Sequence, residues 1–367
     1  MTPLERYQAD LARDGFEHDS RQAAVVRVLQ QVYEELMGRE EGDRGGLFKH
    51  LRFTARSRTD PAVRGLYLWG GVGRGKTHLV NEFYKALPFP RKLRVHFHLF
   101  MQDLHGELKK LPATPDPVFL VAESLSMQFR VLCLDEFHVT DITDAMLLDR
   151  LLTALFERGV TLVTTSNIHP DDLYRGGLQR DRFVPAIELI KEHTRVICLD
   201  GDEDYRLRYL EQAEIYHFPL DPEADSSLLT SFHGLRPEGV VDGGEIEIAG
   251  RLIPTVRYAD GIVWFDFKVL CDEAKGTIDY LDIARCFHTV FVSDIPRMGD
   301  EEKDQAVRFI RLVDVLYDYH VNLVASAAAG PGELYVSTSP LAFDFTRTAS
   351  RLEEMRSHDY LARSHLP

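Results

Sequence analysis

Hydrophobic positions fall into distinct regimes along the chain. Over residues 19–37, Val25, Val28, Leu29, Val32 and Leu36 recur at helical spacing and predict a helix within a largely helical N-terminal segment, residues 1–64. From 65 to 200, short apolar runs alternate with longer stretches. Gly65–Trp69, Val95–Phe100, Val131–Leu134, Val160–Thr165 and Arg195–Leu199 read as strands, and the intervals are long enough for crossover helices. This is the pattern of a parallel sheet with helices on both faces. After the acidic stretch at 200–204 the character changes. Residues 206–236 are polar, irregular or helical, and β-rich runs follow at Glu245–Ile248, Ile253–Tyr258 and Ile262–Val269, so residues 201–271 are expected to form a small β-rich insertion. Helical signals return over 272–367 around a strand at Thr289–Ser293, with a final helix over Arg347–Met355. That predicts a lid-like C-terminal helical region.

One internal echo stands out. VLCLDEF, LLDRLLTALFERGVTLVTTSN and LY are followed later by VFVSDIP, RFIRLVDVLYDYHVNLVASAA and LY. The second copy has no phosphate loop of its own, which favours two independent strand–helix–strand units over a duplication.

Composition narrows the class. With 44% apolar and 28% charged residues in 367, the chain has ample material for a core, and its length suggests two domains. A net charge of −15 repels nucleic acid and anionic lipid at long range, so neither is the expected partner. Cys133, Cys198, Cys271 and Cys286 are widely spaced and fit a reducing compartment better than a disulfide framework. The first residues lack the apolar core of a signal peptide, and no run reaches the roughly 20 apolar residues that span a bilayer. A cytoplasmic protein is expected.

The chemistry concentrates after the first strand. Gly70-Gly71-Val72-Gly73-Arg74-Gly75-Lys76-Thr77 fits G-x-x-x-x-G-K-[ST], with a strand before it and a helix from His78 onward. Glycines let backbone N–H groups wrap phosphate oxygens, and the helix N-terminus adds a positive dipole end. Lys76 would neutralise the β- and γ-phosphates and Thr77 would offer a hydroxyl to Mg²⁺. The second carboxylate that such a site needs follows four apolar strand residues. Asp135 is the metal-side acid, and Glu136 is the group to orient and deprotonate an attacking water. The adjacent acids favour ATP hydrolysis, and no N-K-x-D or T-K-x-D guanine-reading motif occurs. Asn167, at the end of the strand TLVTTS, is either a γ-phosphate sensor or a turn residue. Arg180 and Arg182 are either fingers for a neighbouring subunit's nucleotide or a surface cluster with Asp181 and Glu188. Lys49, Arg52, Arg56, Arg58 and Arg64 read as a solvated face or as a patch near phosphates. His96, His98 and His105 admit a metal reading, but core or accessory histidines are favoured. Asp141 and Asp144 read as caps of a helix starting near Asp144.

P-loop, Asp-Glu strand end, polar strand end and R-x-R-F, in that order, resemble an AAA+ ATPase core. More narrowly, GLYLWGGVGRGKTHL, VHFHLFMQDLH, LCLDEFHVTDITDAMLL, TLVTTSNIHPDDLY, GLQRDRFVPAI, RFIRLVDVLYD and FTRTASRLEEM resemble the ZapE family of bacterial cell-division ATPases and their mitochondrial relatives, over roughly 4–357. The resemblance implies an α/β fold, an AAA+ core over 65–200, and a C-terminal helical lid. It implies an ATPase using Mg-ATP, homo-oligomeric with a hexamer as one arrangement. It further implies recruitment to the division site at the inner membrane and action on polymers of FtsZ. Carried over by position, Gly70–His78 hold the nucleotide, Lys76 and Thr77 form the Walker A pair, and Asp135 and Glu136 form the Walker B pair. Asn167 is the first sensor, Arg182 the preferred finger ahead of Arg180, and Arg351, or Arg347, the second sensor. Two other classes share such a core: a nucleic-acid motor or helicase loader, and a nucleotide-gated adaptor delivering membrane proteins to a protease.

Overall fold

The structure, a computed structural model, describes residues 1–12, 18–44, 62–71, 73–112, 114–199, 205–235, 240–259, 261–273, 275–363 and 365–366. It divides into two compact units, 1–202 and 203–367.

The first unit opens with helices α1 (Pro3–Leu11) and α2 (Ser20–Arg44). Then come β1 (Gly65–Trp69), α3 (Lys76–Ala86), β2 (Lys92–His96), α4 (Phe97–Lys110), α5 (Pro117–Gln128) and β3 (Val131–Asp135). It closes with α6 (Ile142–Glu157), β4 (Thr161–Ser166), 3-10 turns at Pro170–Asp172 and Arg180–Arg182, α7 (Val184–His193) and β5 (Thr194–Cys198). The strands form one wholly parallel sheet in the order β2-β3-β4-β1-β5. Alternating strand side chains feed two cores. Tyr67, Leu132, Leu134 and Leu162 pack under α4–α7, while Leu66, Leu68, Val131, Cys133 and Val163 pack under α1–α3. Burial on both faces is why β3 reads as a near-continuous apolar run.

Gly65 shows how tightly β1 is set. A Cβ there would lie 1.7 Å from the Leu162 carbonyl oxygen on β4, and backbone cannot yield as a flexible side chain would. Gly65→Ala is expected to destabilise the protein by about 3 kcal/mol, read as a lowered denaturant midpoint; an unchanged midpoint would contradict this packing.

Two of the boundaries that differ from expectation are those of α4 and α6. The strand expected over Val95–Phe100 ends at His96, and Phe97 begins α4. Phe97, Phe100, Met101 and Leu104 are all buried at i, i+3, i+4, i+7, a helical spacing that outweighs the local apolar run. Helix α6 starts at Ile142 with Asp141 as its cap, its carboxylate accepting from the Thr143 and Asp144 N–H groups at 2.6 and 3.3 Å. Asp144 instead sits in the first turn, 2.6 Å from His105.

The second unit continues with α8 (Tyr205–Leu210), β6 (Tyr216–His217), α9 (Ala224–Gly234), β7 (Val241–Asp242), β8 (Glu245–Ile248) and β9 (Arg251–Pro254). Next are β10 (Arg257–Ala259), β11 (Ile262–Asp266), α10 (Phe267–Cys271), α11 (Thr277–Cys286) and β12 (Thr289–Ile295). The last elements are α12 (Lys303–Asp318), β13 (Asn322–Ala327), a 3-10 turn at Pro331–Glu333, α13 (Leu341–Glu354) and α14 (His358–Leu361). Its sheet runs β6-β13-β12-β11-β10-β7, with β6, β13, β12 and β11 parallel and β8-β9 a separate hairpin. The expected division at 271/272 into β insertion and helical lid is therefore redrawn. Strand β11 pairs with β12 over five positions, Ile262 with Thr289 through Asp266 with Ser293, so both stretches build one sheet and one core.

That sheet repeats the first. β2-β3-β4-β1 and β11-β12-β13-β6 share order and direction, and aligning Val131 with Thr289 matches both registers across the strands. Six residues, 70–75, join β1 to α3, and six, 218–223, join β6 to α9. Glu136 and Asp294 both have left-handed backbone, φ 54° and 60°. Their N–H groups donate to Thr165 Oγ1 and Ser326 Oγ, each at 3.0 Å. Beyond β4 and β13 each unit has a 3-10 turn followed by Leu-Tyr, 173–174 and 334–335. The internal echo is thus a repeated fold, not two unrelated strand–helix–strand units, and Glu136 aligns with Asp294.

Among the described residues no helix is long and apolar enough to cross a membrane.

Candidate nucleotide site

In a parallel sheet the carboxyl ends of the strands present loops and helix N-termini to one crevice. In the first unit those ends carry nearly all the chemistry noted above. Gly70, Gly71 and Gly73–Gly75 connect β1 to α3, with Lys76 and Thr77 in its first turn; Val72 lies outside the described residues. Gly75 has φ +80°, a left-handed backbone that favours glycine, and a Cβ there would crowd Gln22 Nε2 at 3.0 Å. Gln22 of α2 donates to the Arg74 carbonyl at 3.1 Å and braces the loop from behind.

Lys76 is buried. Its Nζ donates to Gly70 O at 2.9 Å, Gly71 O at 2.6 Å and Asn167 Oδ1 at 3.0 Å. The structure therefore brings the β4-end amide to the loop lysine. Phosphate oxygens can replace these neutral oxygens as acceptors and give the ammonium charge-assisted hydrogen bonds.

Asp135, fully buried at the end of β3, lies 2.8 Å from Arg94 Nε through Oδ2, and the Thr165 hydroxyl approaches its Oδ1 at 3.5 Å. Glu136 is the next residue, turned out of the strand by its left-handed backbone, with Oε2 3.9 Å from His96 Nδ1. Carboxylate and hydroxyl oxygens from Asp135 and Thr77 are the hard donors that suit Mg²⁺. Burial pushes the Cys133 thiol well above its ordinary range, so this strand cysteine is an inert core group.

Other residues go elsewhere. His78 faces Asp10 of α1, Nε2 to Oδ2 3.1 Å, and burial lowers its pKa although Asp10 opposes the shift. Arg180 folds back onto its own loop, Nε donating to Leu173 O at 3.3 Å and Nη2 to Asp171 O. Arg182 is exposed on the adjacent turn and makes no side-chain hydrogen bond or ion pair among the described residues. Arg351 belongs to the second unit, where it binds Asp314 at 2.6 Å and lies 4.5 Å over the Tyr317 ring; Arg347 shares Asp314 at 2.7 Å. His96 faces Glu136 and His105 pairs with Asp144, so the three histidines do not converge on one ion among the described residues. Arg64 is spent on the carbonyls of Thr194 and Lys191, and Lys49, Arg52, Arg56 and Arg58 lie outside the described residues.

Sequence reasoning missed Arg94, Asn81, Thr165 and Gln22. Arg94 lies one residue before the strand expected from Val95, so no sequence signal marked it.

The profile of the AFG1-like ATPase family matches residues 1–364. The cell division protein ZapE of Escherichia coli (strain K12) is 42% identical over 371 residues, covering 100% of this chain and 99% of the relative. An uncharacterized protein of Schizosaccharomyces pombe is 33% identical over 417 residues, covering 98% and 92%. Lactation elevated protein 1 homolog B of Danio rerio is 39% identical over 280 residues, covering 72% of this chain and 56% of that protein. With the loop, the strand-end acids and a likeness that runs from end to end, this chain is an ATPase and belongs to the AFG1-like ATPase family.

Proposed function

We propose that the chain hydrolyses Mg-ATP to remodel or destabilise FtsZ polymers during cell division, as a homo-oligomer recruited from the cytoplasm to the division site at the inner membrane. The observation that carries this reading is the 42% identity to a cell division protein over essentially the whole length of both chains. The site supports the chemistry. Lys76 and the loop amides take the β- and γ-phosphates, Thr77 and Asp135 hold Mg²⁺, and Asn167 passes from Lys76 to the γ-phosphate. Glu136 orients the attacking water and takes its proton. Bound Mg²⁺ supplies neutralisation of phosphate charge. Arg182 of a neighbouring subunit completes the site.

The test is steady-state ATP turnover while FtsZ filaments are titrated in, with single-stranded DNA in a parallel titration. Stimulation by filaments alone is the expected result. Stimulation by DNA alone would replace the polymer with a nucleic acid as partner and leave the nucleotide site standing.

A further inference from the structure

We propose that Arg94 is a positioning residue of this site. It fixes the carboxylate of Asp135 and restrains how tightly the site takes its divalent cation; the proposal rests on the assignment of Asp135 and Thr77 as cation donors.

Arg94 lies on β2, paired in register with Cys133. Its guanidinium reaches two elements at once. Nε is 2.8 Å from Asp135 Oδ2, and Nη1 donates to Asn81 Oδ1 at 2.7 Å. Asn81 is four residues after Thr77 on α3, one turn along the same face. Arg94 therefore ties the strand that carries one cation donor to the helix that carries the other. It does this with a directional Nη1–H bond to Asn81 and an ion pair to Asp135, a combination that an ammonium, as a point charge, would not reproduce.

The bland alternative is an ion pair that serves only the fold. The second unit argues against it. The shared register puts Trp264 where the first unit has Arg94, and Ser293 where it has Asp135. Trp264 packs against Phe232 and Phe291 with ring centroids 6.3 and 6.0 Å away. The same four-strand frame thus stands without the pair. Arginine and carboxylate are absent together, from the copy whose six-residue connection, 218–223, has two prolines, two acids and no glycine. The pair goes with the phosphate loop, not with the frame.

The electrostatic consequence has a sign. A guanidinium beside Asp135 opposes a nearby divalent cation and occupies one carboxylate oxygen, so it weakens cation binding while holding the carboxylate in one orientation. Removing it should tighten the cation and slow turnover, a split that general loosening of the fold would not produce.

The experiment uses the full chain with Arg94→Met and reads Mn²⁺ binding by electron paramagnetic resonance in the presence of a non-hydrolysable ATP analogue. It also reads analogue affinity in EDTA, and turnover. Mn²⁺ should bind about tenfold tighter, analogue affinity in EDTA should stay unchanged, and turnover should fall about 10- to 100-fold. Arg94→Lys, which keeps the charge, should restore wild-type Mn²⁺ affinity but only part of the turnover. Unchanged or weaker Mn²⁺ binding in Arg94→Met, or a parallel loss of analogue affinity in EDTA, overturns the proposal. If Arg94→Met does not fold, Asn81→Leu cuts only the tie to α3: slower turnover at unchanged Mn²⁺ affinity upholds the role, and normal turnover refutes it. Asp135→Asn separates the two layers. If it leaves Mn²⁺ affinity intact, the donor assignment itself fails; if it weakens Mn²⁺ while Arg94→Met has no effect, only the role of Arg94 fails.

Discussion

Glu136→Gln should bind ATP as the unaltered chain does and lose turnover by about 10²–10⁴-fold, the range a positioned general base contributes. The substitution keeps length and shape, so the strand-end turn, the N–H bond to Thr165 and the spacing to His96 all survive. What disappears is the capacity to accept a proton from water. Lys76, the loop amides and Asp135 are untouched, which is why binding is expected to persist. The measurement is a nucleotide affinity by calorimetry beside a steady-state rate. Wild-type turnover would remove Glu136 as the base, and a joint loss of affinity and rate would point to collapse of the strand end. The left-handed backbone at Glu136 does not by itself argue for catalysis. Asp294 adopts the same φ with the same hydroxyl-capped N–H in the second unit, where the phosphate loop is missing. The turn belongs to the fold; the glutamate on it belongs to the chemistry.

The first unit was legible because its signals are local. Four apolar residues ending in two acids, following a glycine loop between strand and helix, read as a buried parallel strand arriving at the crevice where that loop places phosphates. Strand β2 was misplaced because HFHLF is apolar at either period, and only the buried partners of Phe100 and Met101 decide for helix. Arg94 was passed over because its meaning lies in Asn81 and Asp135, which the chain brings to it from 13 residues before and 41 residues after.

The second unit was harder to read for a related reason. A sheet is assembled from strands far apart in sequence, and β8-β9 with its Gly-rich turns separates α9 from β11. Read linearly, that interval looks like a domain of its own. Read by pairing, it is an excursion within a repeated frame. The connection 218–223 replaces glycines by Pro219 and Pro222 and places Asp221 and Glu223 where amides would meet phosphate. His217, at its start, is held between Glu214 and Asp221 at 2.9 and 3.0 Å, and both bonds favour its protonated form. Such a loop repels a polyphosphate. The repeat therefore keeps the frame and not the nucleotide.

Arg182→Ala should retain ATP binding and lose turnover by about 10³–10⁵-fold, the effect of removing a finger that stabilises charge in the transition state. The structure favours Arg182 over Arg180 on geometry. Arg180 is committed to two carbonyls of its own loop, whereas Arg182 is exposed, next to a buried Phe183 that stacks edge-on against Tyr174 and fixes the turn. An exposed cation on a rigid turn suits a role at a neighbour's site. Mixing makes that role measurable. Arg182→Ala subunits keep Glu136, and Glu136→Gln subunits keep Arg182, so each is inactive alone. In a random mixture of equal amounts, about a quarter of sites would pair an intact glutamate with a neighbour's intact arginine and regain activity. A finger acting within its own subunit gives no recovery at any ratio. Normal hydrolysis by Arg182→Ala alone would return the role to Arg180 or dispense with a finger, leaving the loop, Asp135 and Glu136 to act without a neighbour.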